Sequence, residues 1–147
     1  MDNYFLRAST IFLVGATGIY KGIPTGFALG AHPIETAILT SVGSIVTVFV
    51  IHFAGEPVKQ WALKKMNRQS LEKKGGKFKR ILDKYGTPGL GLLCPGFMGP
   101  IMTMILSLIL IEKRAKLMLY LAVGITIWTF AITAVTHYGL DTIKKLL

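Results

Sequence analysis

The chain holds a single cysteine, Cys94, in 147 residues. That excludes a disulfide within the chain and any metal centre built from cysteines. Cys94 lies in an apolar run and reads as a small buried residue. Acid is scarce too. Seven Asp and Glu stand against seventeen Lys and Arg, a net charge of +10. The three histidines have no metal-ligand spacing. No paired carboxylates and no Ser-His-acid set occur. GTPGLG (86–91) has a glycine rhythm but follows no strand, lacks the dinucleotide pattern and carries no phosphate-binding lysine. We therefore expect no enzyme activity, no cofactor and no bound metal.

What the chain has instead is length without charge. Residues 36–51 (TAILTSVGSIVTVFVI), 85–111 and 117–136 (LMLYLAVGITIWTFAITAVT) contain no charged side chain. The apolar fraction is 52% and the mean hydropathy +0.54. A helix needs about 20 apolar residues to cross a bilayer, so one all-α membrane domain is expected over 1–147. The first stretch lacks a basic segment ahead of its apolar part, since Asp2 precedes Arg7. It reads as a retained helix rather than a leader.

The basic residues are clustered. Ten of them lie between Lys59 and Lys84. Basic segments of membrane proteins stay on the cytoplasmic side and meet anionic headgroups. Residues 57–84 are expected to form a cytoplasmic loop, with Lys64, Lys65, Lys73, Lys74, Lys77, Lys79 and Arg80 on lipid headgroups. Trp61, Leu63 and Met66 suggest an amphipathic stretch on the membrane surface, broken by Gly75–Gly76. Nucleic acid is not an expected partner.

Charge then folds the second half. The run 85–111 is bounded by the basic loop and by EKRAK (112–116). A single crossing would leave one basic cluster outside. Entry and exit on the same side keeps both inside and needs a turn at membrane depth. CPGFMGP supplies the breakers, with Pro95, Gly96, Gly99 and Pro100 as turn residues. The first half repeats the plan, with Pro24 and Gly26 as its turn. IPTGF (23–27) compares with CPGFM (94–98), and SVGSIVTVFVI (41–51) with AVGITIWTFAI (122–132). The expected architecture is therefore an inverted repeat. Each half is a re-entrant, broken helical hairpin followed by one transmembrane helix. Repeat 1 covers about 8–56, repeat 2 about 85–139, and a short tail 140–147. Such repeats place binding sites at the midplane.

Ionisable groups inside apolar segments are the candidates for function. Glu35, in the first turn after Pro33, is favoured there by the helix dipole and is a candidate proton-coupling group, with Lys21 as its partner across the first turn. Phe27 and Phe97 follow the two breaker motifs at similar offsets and are expected to line a shared site. His52 and His137 mark opposite membrane faces. Trp128 and Tyr120 are expected to pack on the neighbouring hairpin.

GIPTGFALGAHP, the basic segment, KYGTPGLGLLCPGFMGP and the AVGITIW helix together resemble the small multi-drug export family, from about residue 15 to 139. That family is similar in plan to DedA-like membrane proteins. The resemblance implies a small transporter, possessing a site where the hairpins meet. Proton-coupled export of small cationic solutes is the leading expectation. A non-transporting protein that recruits a partner or anionic lipid through its basic segment is the alternative, as is a DedA-like lipid translocase. A small core predicts a homodimer or larger homo-oligomer, multi-pass in a bacterial cytoplasmic membrane.

Overall fold

The computed structural model describes residues 2–112 and 115–147. They form helices α1 (Asp2–Thr17), α2 (Ile19–Ala28), α3 (Pro33–Ala54), α4 (Glu56–Lys65), α5 (Arg68–Phe97), α6 (Pro100–Leu110) and α7 (Ala115–Leu146), with no strand among the described residues. Two of them, α3 and α7, are long and apolar enough to cross a membrane. At 1.5 Å per residue the 22 residues of α3 reach about 33 Å, a bilayer core with little to spare. The 10 residues of α2 and the 11 of α6 are too short to cross. Outward faces are apolar. Ile38, Val42, Val46, Phe49 and Phe53 expose one side of α3, and Leu119, Val123, Ile127 and Phe130 one side of α7. Lipid tolerates such a surface; water does not.

Each long helix carries a helical hairpin. α1 and α2 are joined by Gly18 alone, at φ 146. The end of α5 and α6 are joined through Met98 and Gly99, at φ 84. Both turns need a positive φ, which only glycine adopts freely. Pro100 then opens α6 at a position where its missing N–H costs nothing.

Glycine decides how the hairpins sit on the long helices. A Cβ at Gly15 would lie 2.8 Å from Thr40 Cα, and one at Gly43 would strike the Phe12 carbonyl. Ser44 Oγ donates to the Gly15 carbonyl at 2.7 Å. With Arg7 meeting Glu35 near the other end, α1 runs in the same direction as α3. α2 returns the opposite way, with Gly22 over Thr40 and Gly26 over Thr36. The hydroxyls of Thr36 and Thr40 have no hydrogen-bond partner and rest on bare glycine backbone, where Cα–H groups are weak donors. In the second half, a Cβ at Gly124 would strike the Gly91 carbonyl, and one at Gly91 would lie 2.9 Å from Leu121 N. Here the hairpin limb of α5 runs with α7. Gly43 and Gly124 are the glycines that the two aligned segments pair. α3 and α7 themselves run in opposite directions: Val48 and Ile51 share a cluster with Met118, Leu121 and Ile125, while His137 stacks on Phe27, beside Gly26 and Thr36 near the start of α3.

Four expectations need correction. Pro24 and Gly26 lie inside α2, and the first turn falls at Gly18. Pro24 is exposed, so its ring has room, while Gly26 serves as packing face rather than as turn. Pro95 and Gly96 belong to the last turns of α5, so only Gly99 and Pro100 form the second turn. The basic segment is helical, not a loop. α5 passes through Gly75–Gly76 unbroken and bends instead at Gly86 (φ 69, ψ −168). Burial of Phe78 against Leu90, Cys94, Leu106 and Leu117 outweighs roughly 1 kcal/mol of helix propensity lost at each glycine. Finally, residues 140–146 continue α7 rather than forming a separate tail.

Glycine substitutions separate packing from propensity. Gly43→Ala and Gly124→Ala should each destabilise the protein by about 1–3 kcal/mol, because a methyl group there meets backbone that cannot move aside. Gly75→Ala and Gly76→Ala, with open space around them, should stabilise by about 0.5–1 kcal/mol. Unfolding of the four variants in detergent measures both signs.

Candidate functional site

Proline removes an N–H donor, so the carbonyl four residues earlier in a helix loses its partner. Inside helices, Pro24 leaves the Tyr20 carbonyl and Pro95 the Gly91 carbonyl without that partner; the Gly96 carbonyl lacks one because α5 ends at Phe97. The Gly91 carbonyl faces Gly124. The Gly96 carbonyl, in the last turn of α5, accepts from the Tyr20 hydroxyl at the start of α2. The two hairpins therefore touch near their turns, through residues far apart in the chain.

Aromatic side chains gather at this junction. Trp128 Nε1 of α7 donates to the Leu92 carbonyl at 2.7 Å. Its ring covers Gly96, where any Cβ would collide with it. Phe97 stands edge-on to Trp128, with ring centroids 5.9 Å apart. Tyr20 and Phe97 remain exposed, at 51% and 72%. Three aromatics thus gather round the helix-end carbonyl of Gly96.

Glu35 is placed at the far end of α2, near the start of α3. Its partner is Arg7 of α1, with Nη2 donating to Oε2 at 3.4 Å; the side chains are 30% and 19% exposed for Arg7 and Glu35. Arg7 Nε and Glu35 Oε1 have no partner. A cavity of about 350 Å³ lined by Asn3, Tyr4, Leu6, Arg7, Thr10 and Leu29 opens beside the pair. Lys21, offered as the partner, is exposed and forms no ion pair among the described residues. The turn at Gly18 puts Lys21 at the hairpin tip, while Glu35 lies beside the hairpin's open end. Phe27 and Phe97 are likewise separated. Phe27 stacks on His137 at 6.5 Å, at the same end as Glu35, and only Phe97 joins the junction. His137 also meets Asp141, Nε2 to Oδ2 at 3.5 Å.

The basic residues divide. Lys64 and Lys65 are exposed on α4, with Lys65 over the Trp61 ring at 4.9 Å. Lys79 and Lys84 face a cavity with Gly76, Arg80 and Asp83. Lys73, Lys74, Lys77 and Arg80 turn towards the second hairpin, where they line a cavity with Ile81, Phe97 and Met98. Arg7 and Tyr20 were not among the expected residues. Arg7 had a signal: it is a lone cation in an apolar helix, and such a group requires a counter-charge.

The junction can be tested by its two side-chain donors. Tyr20→Phe and Trp128→Phe each remove a hydrogen bond to a hairpin carbonyl and should cost about 1 kcal/mol singly. Because both hold the same turn, the double variant should depart from additivity by about 0.5 kcal/mol or more. A double-mutant cycle of unfolding measurements gives that number; strict additivity would mean the two contacts are independent.

Against known proteins, no curated sequence and no solved structure matches the chain. A family model described as "Putative small multi-drug export protein" matches residues 19–131, which takes in α2 to α6, the junction, Glu35 and the first half of α7. The chain is a membrane protein, and it belongs to the small multi-drug export protein family.

Proposed function

We propose that the chain is a small multi-pass transporter that exports small cationic solutes in exchange for protons. The solute would pass the junction of its two hairpins. The observation that carries this reading is the Tyr20 hydroxyl on the Gly96 carbonyl, which joins the hairpins beside Phe97 and Trp128. Both hairpins are read as re-entrant and the two halves as an inverted repeat. The matching glycine crossings at Gly43 and Gly124 and the short limbs support that reading. Glu35 is the coupling group. Protonation of its carboxyl would release Arg7 and loosen α1 from α3 at the mouth of the first hairpin. Exposed apolar stripes on α3 and α7 suit association of copies, and a homodimer in a bacterial cytoplasmic membrane is the proposed form. No covalent chemistry is involved.

Flux in proteoliposomes tests the mechanism. Vesicles loaded with a pH-sensitive dye receive a proton gradient and then tetraphenylphosphonium. The wild type should show solute-dependent proton flux. Glu35→Gln should lower it at least about tenfold, the usual scale for losing a positioned proton carrier. Phe97→Leu or Trp128→Leu should lower it about fivefold, near 1 kcal/mol of cation–aromatic attraction. Flux intact in Glu35→Gln would remove that residue from coupling. No flux from folded protein would favour the recruiting or lipid-translocating alternatives.

Topology has its own test. In a Cys94→Ser background, single cysteines at Thr87 and Glu112 should react with a membrane-impermeant reagent from the same side. Reaction from opposite sides would exclude re-entry of the second hairpin.

A further inference from the structure

α5 folds back at Gly86, so its basic part lies alongside the hairpin that its own continuation begins. Phe78, fully buried against Leu90, Cys94, Leu106 and Leu117, pins the two together. Lys73, Lys77 and Arg80 recur at i, i+4 and i+7 along one face, with Lys74 beside them. This face lines a cavity of about 640 Å³ whose remaining walls are Ile81, Phe97 and Met98. No acid lines it among the described residues, and none of the four cations pairs with an acid there. The cavity is strongly cationic on one wall and apolar on the other.

All four cations are exposed in the protein alone, and embedding the hairpin in a bilayer would make that charge expensive. Phe97 and Met98 lie at the hairpin turn, and residues 87–97 put that turn about 16 Å from the bend at Gly86. With the hairpin in the bilayer, four cations are held beside a limb and turn that carry no charge from 85 to 111. Uncompensated charge at such depth is costly and draws in a counter-ion. Lysine and arginine close together favour a phosphate oxygen, and the Ile81–Phe97–Met98 wall favours a hydrocarbon chain beside it.

We propose that this cavity is a binding site for a phosphate-bearing amphiphile. The phosphate would lie among Lys73, Lys74, Lys77 and Arg80, and the chain along Phe97 and Met98. The proposal rests on the hairpin being membrane-embedded. It also bears on transport: four bare cations next to Phe97 would repel a cationic solute, and a bound phosphate neutralises them. Anionic lipid is then a resident part of the site rather than a general surface contact.

The test reads binding alone, so it stands or falls apart from flux. Full-length protein in neutral detergent is titrated with dodecyl phosphate, with inorganic phosphate, or with dodecanol, and followed by thermal unfolding and native mass spectrometry. Dodecyl phosphate should raise Tm by about 5 °C at saturation and remain bound in the spectrometer, while the other two do neither. Lys73→Gln/Lys77→Gln should weaken binding at least about tenfold. Lys64→Gln/Lys65→Gln, with the same charge loss on α4, should leave it unchanged, and Lys73→Arg/Lys77→Arg should restore it. Inorganic phosphate binding as well as dodecyl phosphate would replace the amphiphile with a soluble anion and overturn the proposal. Equal loss in both lysine-to-glutamine pairs would reduce it to diffuse charge attraction, and no binding by folded wild type would end it.

Discussion

A backbone carbonyl without a donor is the constraint around which the two hairpins are arranged. In lipid, water cannot supply the missing hydrogen bond. Pro100 starts α6 directly after the turn at Gly99, and the Gly96 carbonyl is left without a helical donor because α5 ends at Phe97. The Tyr20 hydroxyl satisfies that carbonyl from the other hairpin. Trp128 meets the Leu92 carbonyl one turn earlier. The second turn is therefore completed by side chains from α2 and α7, and cannot be finished until both halves are in place. That dependence explains why apolar segments here contain their worst helix formers. The breakers create the turns, and they also create unsatisfied carbonyls that other elements must come to meet.

Glycine does the complementary work by removing side chains. Without a water-driven hydrophobic force between helices, close backbone approach supplies the attraction. The crossings at Gly15–Gly43 and Gly91–Gly124 bring each hairpin onto its long helix, and Gly22 and Gly26 lay α2 onto Thr36 and Thr40. These packing faces fix the height of each hairpin along α3 and α7. The height in turn decides that Tyr20 reaches Gly96 and that Arg7 reaches Glu35.

The class, the two long helices and the paired Val-Gly segments were legible because length, charge and spacing record them directly. The turn positions were less so. In a membrane helix glycine marks a packing face as readily as a turn, and proline is tolerated on an open side. Gly22 and Gly26 at an i, i+4 spacing carried the packing signal, and Pro24 between them suggested a break that the exposed face of α2 does not require. The helix through Gly75–Gly76 was hidden for another reason. Its stability comes from Phe78 and its tertiary neighbours, not from local propensity. Glu35 stood out in the sequence as a carboxylate beside an apolar segment, and the structure places it against Arg7. Arg7 was not matched to it because the pairing depends on α1 running with α3, which follows from glycine contacts 28 or so positions apart in the chain. Phe27 and Phe97 occupy similar offsets in their motifs, yet Phe27 lies well beyond the Gly18 turn and Phe97 just before Gly99. Similar offsets from a proline do not give similar depth when the prolines hold different places relative to the turns.

Charge and packing meet at Gly86. Had α5 run straight, its lysines would project away from the hairpin into water, where charge is cheap and carries little information about function. The bend turns them back along the hairpin, and Phe78 holds them there. Burying Phe78 stabilises this arrangement by about 2–3 kcal/mol. With the hairpin embedded as proposed, that gain would be small beside the penalty for several unpaired cations. The folded-back limb would then be stable in lipid only with a counter-charge or with water reaching the cavity. Phe97 is 72% exposed in the protein alone, so water in the cavity would leave that apolar surface uncovered. An amphiphilic anion satisfies both walls at once: its phosphate answers the cations, and its chain covers the apolar side. The bend, the buried phenylalanine and the basic face are consistent with one another when that ligand is included.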